Sequence, residues 1–172
     1  MAGEMAALSV LLEEAPVAPQ PLFVVRVVDP PKPKERHRTQ SFGKGGKRLA
    51  HPRTYTPTET VHAAYLVRQA FVERYGDNLE PLDGGVFLRF TAWLRMPGYV
   101  PKYRRATILP TVKPDLPNLD MLLADALKGY AWTDDARITD LQTRKRYAGT
   151  FDGPSYPCWE VEIFESVAEL WW

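Results

Sequence analysis

The chain has 172 residues, with 22 Lys and Arg against 21 Asp and Glu for a formal net charge of +1, and a single cysteine. Such a length suits one domain with a sizeable core, and a near-neutral sum means that any affinity for a polyanion must come from how charge is distributed. Cys158 alone excludes an internal disulfide and a cysteine-based zinc site and points to a reducing compartment, so a cytoplasmic location is expected. No run approaches the roughly 20 apolar residues of a membrane span. AALSVLL at 6–12 lacks a basic leader and runs into Glu13 and Glu14, so no signal peptide is expected.

Residues 1–20, rich in alanine and proline, read as a mobile extension, and 21–172 as the folded domain. PLFVVRVVD at 21–29 predicts the first strand. A long loop follows, carrying Lys32, Lys34, Arg36, Arg38, Lys44, Lys47, Arg48 and Arg53 against Glu35, with Gly43, Gly45 and Gly46 keeping it flexible. A solvated charge run is the bland interpretation. Phosphate contact is the favoured one, because so many cations with one acid repel each other unless a polyanion is near.

Thr56-Pro57-Thr58-Glu59 has the form of a capping box, with Thr56 as N-cap, and predicts a helix to about Arg74 or Tyr75, stopped by Gly76. Val61, Ala64, Tyr65, Phe71, Val72 and Tyr75 are available for its buried side, and His62 has no second ligand to join it. Residues 86–95 alternate cleanly, with Val86, Leu88, Phe90, Ala92 and Leu94 on one face and Phe87, Arg89, Thr91, Trp93 and Arg95 on the other, so a strand is predicted. The next stretch holds Lys102, Arg104, Arg105 and Lys113 with no acid before Asp115. Tyr99 and Tyr103 within it suit either base stacking or packing.

KPDLPNLDMLLADALKGYAWTDD, 113–135, predicts an amphipathic helix with Leu119, Leu122, Leu123, Ala126, Leu127 and Tyr130 as its apolar stripe and its aspartates at the edges and ends. Asp115 is placed to cap it, Pro117 suits the first turn, and Gly129 ends it. Residues 137–147 and 158–164 predict two strands able to pair as a hairpin, and Leu170-Trp171-Trp172 suggests docking on the core or on another subunit. The order predicts an α+β fold, a small mixed sheet with two main helices packed on one face.

Lys-Pro-Asp, a helix with Asp-Ala-Leu near its end, and Asp-Asp before a strand ending in basic residues together resemble the RusA family of Holliday junction resolvases. The Pro-x-x-Lys-x-Arg-x-Arg spacing at 31–38 resembles that family's N-terminal basic motif. The resemblance implies a RusA-like fold, a homodimer, branched DNA as substrate and a magnesium-binding acidic cluster. It places two family aspartates on Asp115 and Asp135, but puts Pro117 where the family has a further aspartate and Met121 where it has a lysine. Asp120, one turn beyond Pro117, is the candidate replacement carboxylate. Asp125, more than two turns from Pro117, suits that role less. For the lysine, Lys128, Lys113 and Lys145 stand as alternatives.

Phosphodiester cleavage needs an activated water and a place for negative charge, and a hard cation held by carboxylates supplies both. The expected catalytic residues are therefore Asp115, Asp135 and Asp120, with Asp134 added as a magnesium ligand. Lys34, Arg36, Arg38, Lys44, Lys47, Arg48, Arg104, Arg105 and Lys113 are expected to bind DNA. In the bland interpretation Asp115 is only a helix cap and Asp134-Asp135 only a polar turn. Two functions follow: a magnesium-dependent, structure-selective endonuclease of recombination and repair, or a catalytically lapsed relative that binds branched DNA without cutting it.

Overall fold

The structure, a computed structural model, describes residues 20–42, 44–46, 48–150 and 153–166. The proposed extension, apart from its last residue, lies outside these residues, as do Lys47 and the terminal tryptophans. The elements run β1 (Phe23–Val27), β2 (Arg38–Phe42), β3 (Arg48–Tyr55), α1 (Thr58–Tyr75), β4 (Val86–Leu94), α2 (Leu116–Leu127), β5 (Ile138–Tyr147) and β6 (Cys158–Glu165). This is the expected α+β arrangement of a mixed sheet with two main helices.

The alternation in β4 sets the layering. Val86, Leu88, Phe90, Ala92 and Leu94 join Val25 and Val27 of β1 and Trp159, Val161 and Ile163 of β6 in one core with the buried faces of both helices. Phe90 stacks on Trp159 with centroids 5.5 Å apart. On the opposite face Phe87 stacks on Phe164, and Arg89 lies 4.9 Å above the Phe164 ring while pairing with Glu162. A second apolar layer is thus capped by charge.

The main sheet has the order β1-β6-β4-β5. The expected β5–β6 hairpin does not form: β6 pairs antiparallel with both β1 and β4, and β5 pairs parallel with β4. Burial explains the choice. β6 buries Trp159, Val161 and Ile163 and takes an interior position, whereas β5 is polar along most of its length and takes the edge.

The basic segment is also more ordered than a flexible loop. β2 and β3 form an antiparallel ribbon, with Arg38 opposite Tyr55, Gln40 opposite Arg53 and Phe42 opposite Arg48. Gly45 and Gly46 turn it, at φ of 81° and 75°, a left-handed region that side chains resist. Ahead of the ribbon, consecutive amides fasten the chain to both helices: Lys34 N donates to Asn118 O at 2.8 Å and Glu35 N to Thr60 Oγ1 at 3.1 Å.

The capping box does not form. Pro57, at φ −56° and ψ 140°, stands outside α1 as its N-cap, no side chain caps the helix, and Thr56 Oγ1 instead meets His37 Nδ1 at 3.1 Å. The buried line of α1 is Thr60, Ala63, Val67 and Phe71, which leaves Val61 and Tyr65 exposed, because the helix packs on α2 and β1 at once. In α2 the stripe residues Leu119, Leu122, Leu123, Ala126 and Leu127 are buried as expected, whereas Tyr130 lies beyond the helix end and is half-buried. Asp115 occupies the N-cap position, but its carboxylate makes no cap hydrogen bond; its carbonyl receives the amides of Asn118 and Leu119. Gly129, at φ 77°, turns the chain out of the helix.

Tyr75 ties the end of α1 to the sheet edge, its hydroxyl accepting from Val24 N at 2.7 Å and donating to Val24 O at 3.1 Å. Tyr75→Phe keeps the ring contacts but orphans both groups. It is expected to cost about 1–3 kcal/mol in urea denaturation, with the fold retained.

Candidate active site

The β4–α2–β5 passage builds the site. Parallel register places Leu141 beside Leu88, Thr143 beside Phe90 and Lys145 beside Ala92, so these β5 side chains share the helix-facing side of the sheet. Above them lies the polar face of α2, where Asp120, Met121, Ala124 and Asp125 follow i, i+1, i+4, i+5 spacing. A pocket opens between the two, lined by these four residues with Leu88, Ile138, Leu141, Asp135 and Lys34.

Each acid has its own surroundings. Asp120 is half-buried and accepts from Thr143 Oγ1 at 2.6 Å; burial raises its pKa above the ordinary carboxylate value, and the Thr143 bond opposes that rise. Asp135 carries a buried Oδ1 with no hydrogen-bond partner. Asp125, exposed, pairs with Lys34. Asp134 does not line the pocket: it pairs with Lys128 and accepts from Ala136 N at 3.0 Å. Its pKa is lowered chiefly by the Lys128 bond, then by the Ala136 amide.

Asp115 lies in a neighbouring pocket with Lys34, Arg36, Arg38, Lys113, His37 and Asn118. Cations from two basic segments therefore meet there, and Lys34 borders both pockets. The acids expected to cluster are divided, and among the described residues no group of three or more His, Cys, Asp or Glu side chains is gathered closely enough to hold a metal ion. Arg105 lies elsewhere, donating to Val100 O at 3.2 Å, and Arg104 is exposed on its 3-10 turn. Arg48 is exposed on the ribbon, where Lys44 also lies.

A family model described as Endodeoxyribonuclease RusA matches residues 29–153. The chain belongs to the RusA family. Membership implies a nuclease that acts on DNA junctions. A search of the curated proteins gave no match. The matched span takes in both pockets and ends before β6, the strand that closes the sheet between β1 and β4. Pro117 is exposed in the first turn of α2, and Met121 borders the carboxylate pocket at 48% exposure.

The sequence alone assigns no catalytic role to Asp125, which lines this pocket, or to Thr143, which bonds to Asp120 from outside its lining. Asp125 was discoverable by measuring from Asp120 rather than from Pro117, since the two bracket one helix face. Thr143 gives no local signal.

Burial of Asp120 has a consequence for stability. A carboxyl whose folded pKa is raised contributes most below its unfolded pKa, and that contribution is lost as pH rises through the folded value. Asp120→Asn removes the charge and keeps an acceptor for Thr143. In metal-free buffer it is expected to raise the melting temperature at neutral pH, with the gain vanishing below about pH 4. A gain that did not change with pH would assign the effect to something other than this carboxylate.

Proposed function

We propose that this RusA-family chain is a magnesium-dependent endonuclease that cuts four-way junctions and other branched DNA. The observation that carries the reading is the buried, unpartnered Oδ1 of Asp135 in one pocket with Asp120. A lone buried carboxylate oxygen is costly, and a hard cation removes that cost. Magnesium keeps several waters and takes only one or two carboxylates beside phosphate oxygens, so Asp135 and Asp120 suffice as protein ligands. Held there, the ion would supply Lewis acidity and a more acidic water.

The remaining roles belong to the chain. Arg36, Arg38 and Lys113 receive backbone phosphates in the adjoining pocket, with Arg48 and Lys44 extending the contact along the ribbon and Lys102 and Arg104 along the second basic segment. Asp115 is the third carboxylate available once DNA spans both pockets. Asp134, occupied by Lys128 and the Ala136 amide, shapes the turn that delivers Asp135. A homodimer would present two such sites to two strands, so sedimentation should give twice the chain mass.

One observation favours the alternative of a lapsed enzyme that only binds. The acids remain divided between pockets, and the resemblance puts Pro117 and Met121 where the family has an aspartate and a lysine. Incubation with a synthetic four-way junction, with and without magnesium, separates the readings. Cleavage is expected only with the metal. Asp135→Asn and Asp120→Asn should each lower the rate by about a hundredfold or more while junction binding in chelator persists. Asp115→Asn tests the third carboxylate in the same assay. A wild-type protein that binds junctions with a steep salt dependence, about 0.9 log units per phosphate contact, yet never cuts with magnesium or manganese, would establish the lapsed form.

A further inference from the structure

Among the described residues four lysines lie near enough to α2 to serve the carboxylate pocket, and three are employed elsewhere. Lys128 pairs with Asp134. Lys145 donates to Val112 O at 2.8 Å and Pro114 O at 2.9 Å, fastening the loop that leads into α2. Lys113 lines the Asp115 pocket and not the Asp135 pocket. Lys34 alone borders both, and it is held twice: its amide donates to Asn118 O at 2.8 Å, and its ammonium pairs with Asp125 on the polar face of α2.

An ammonium has three N–H donors, so pairing with Asp125 leaves donors for a second acceptor. The pair is partly exposed, with 30% and 47% of the two side chains accessible, and such pairs contribute little to stability. Its value here is orientation. Without Asp125 a flexible lysine would sample many rotamers; with it, the charge stays between the basic pocket, where phosphates arrive, and the acids that would hold the ion.

We infer that Lys34 is the cation that meets the phosphate undergoing cleavage, with Asp125 as its positioning residue. This rests on the nuclease reading above. In hydrolysis the water oxygen bonds to phosphorus and gives up a proton to solvent, the phosphorus–oxygen ester bond breaks, and the departing sugar oxygen takes a proton from solvent to leave as an alcohol; negative charge grows on the non-bridging oxygens in between. The Lys34 ammonium offsets that charge and keeps its protons. Placed on the segment before the ribbon, it does from outside α2 what a cation at position 121 would do from within it.

Two measurements test this. In steady-state cleavage, Lys34→Met should lower kcat by about a hundredfold while KM rises by no more than about tenfold, because the donor meets charge that grows beyond its ground-state value. Lys34→Arg should retain part of the activity, adding Met121→Lys to Lys34→Met should recover part, and Asp125→Asn should lower kcat by less than Lys34→Met does. The melting temperature should hardly move. A Lys34→Met kcat within about threefold of wild type overturns the inference. The second measurement needs neither metal nor cleavage: single neutral methylphosphonates are placed in turn around the crossover, and junction binding is read by anisotropy in chelator. One position should weaken wild type by about tenfold and Lys34→Met hardly at all, because the charge it removes has no partner left. Identical scans for both proteins overturn the inference even where the wild type cuts. A wild type that never cuts but shows this coupling removes the nuclease reading and leaves Lys34 as the phosphate contact at the pocket.

Discussion

The parallel pairing of β4 with β5 is the constraint from which the site follows. Antiparallel neighbours can be joined by a tight turn, but parallel ones need a long crossover, usually helical, that returns across the sheet. Here the crossover carries α2, and the helix must lie over the sheet with its leucine stripe inward. Its other stripe, Asp120 to Asp125, is then left along β5. Because β5 is an edge strand, the side chains on its helix side need not be apolar, and Thr143 and Lys145 reach up to Asp120 and to the carbonyls before α2. Edge position, polar strand and acidic helix face are one arrangement seen from three sides.

The electrostatics of that arrangement cost stability. Burial disfavours the charged form of Asp120, and Asp135 has an oxygen that none of the described residues satisfies. Each disfavours the folded state a little, as functional groups commonly do. Several charges elsewhere are paired: Arg89 with Glu162 and Arg26 with Glu160 on the outer sheet face, and Arg137 with Asp83 at 2.7 Å beside the turn before β5. Among the described residues the buried side-chain polar atoms without a partner are Trp132 Nε1 and Asp135 Oδ1, and of the two only the carboxylate oxygen suits a cation as its missing partner.

Much of the fold was legible because it is written in short periods. The two-residue alternation of VFLRFTAWL can only be a strand with one face inward, and the Leu119–Leu127 stripe only a helix on a core. Asp134-Asp135 ahead of a strand was likewise visible, as was the crowding of cations at 32–53. The buried side of α1 was less so, since Val61, Ala64 and Tyr65 offer as plausible a stripe as Ala63, Val67 and Phe71. Contact with α2 and β1 selected the second. The ribbon was hidden because Arg, Lys and Gly carry little strand propensity, and a two-stranded pair has no buried face to reveal it.

By itself the sequence determined the RusA kinship, the α+β class, the apolar faces of β4 and α2, and the aspartates open to a metal role, since each depends on residues close together along the chain. Tertiary structure alone decided which strand neighbours which, because an alternating polar segment such as β5 suits a hairpin and a parallel edge equally well. It also decided the company each acid keeps. Lys34 and Asp125 are 91 positions apart, and no local pattern could join them. They meet because α2 crosses back over the sheet and the Lys34 amide hydrogen-bonds to its first turn.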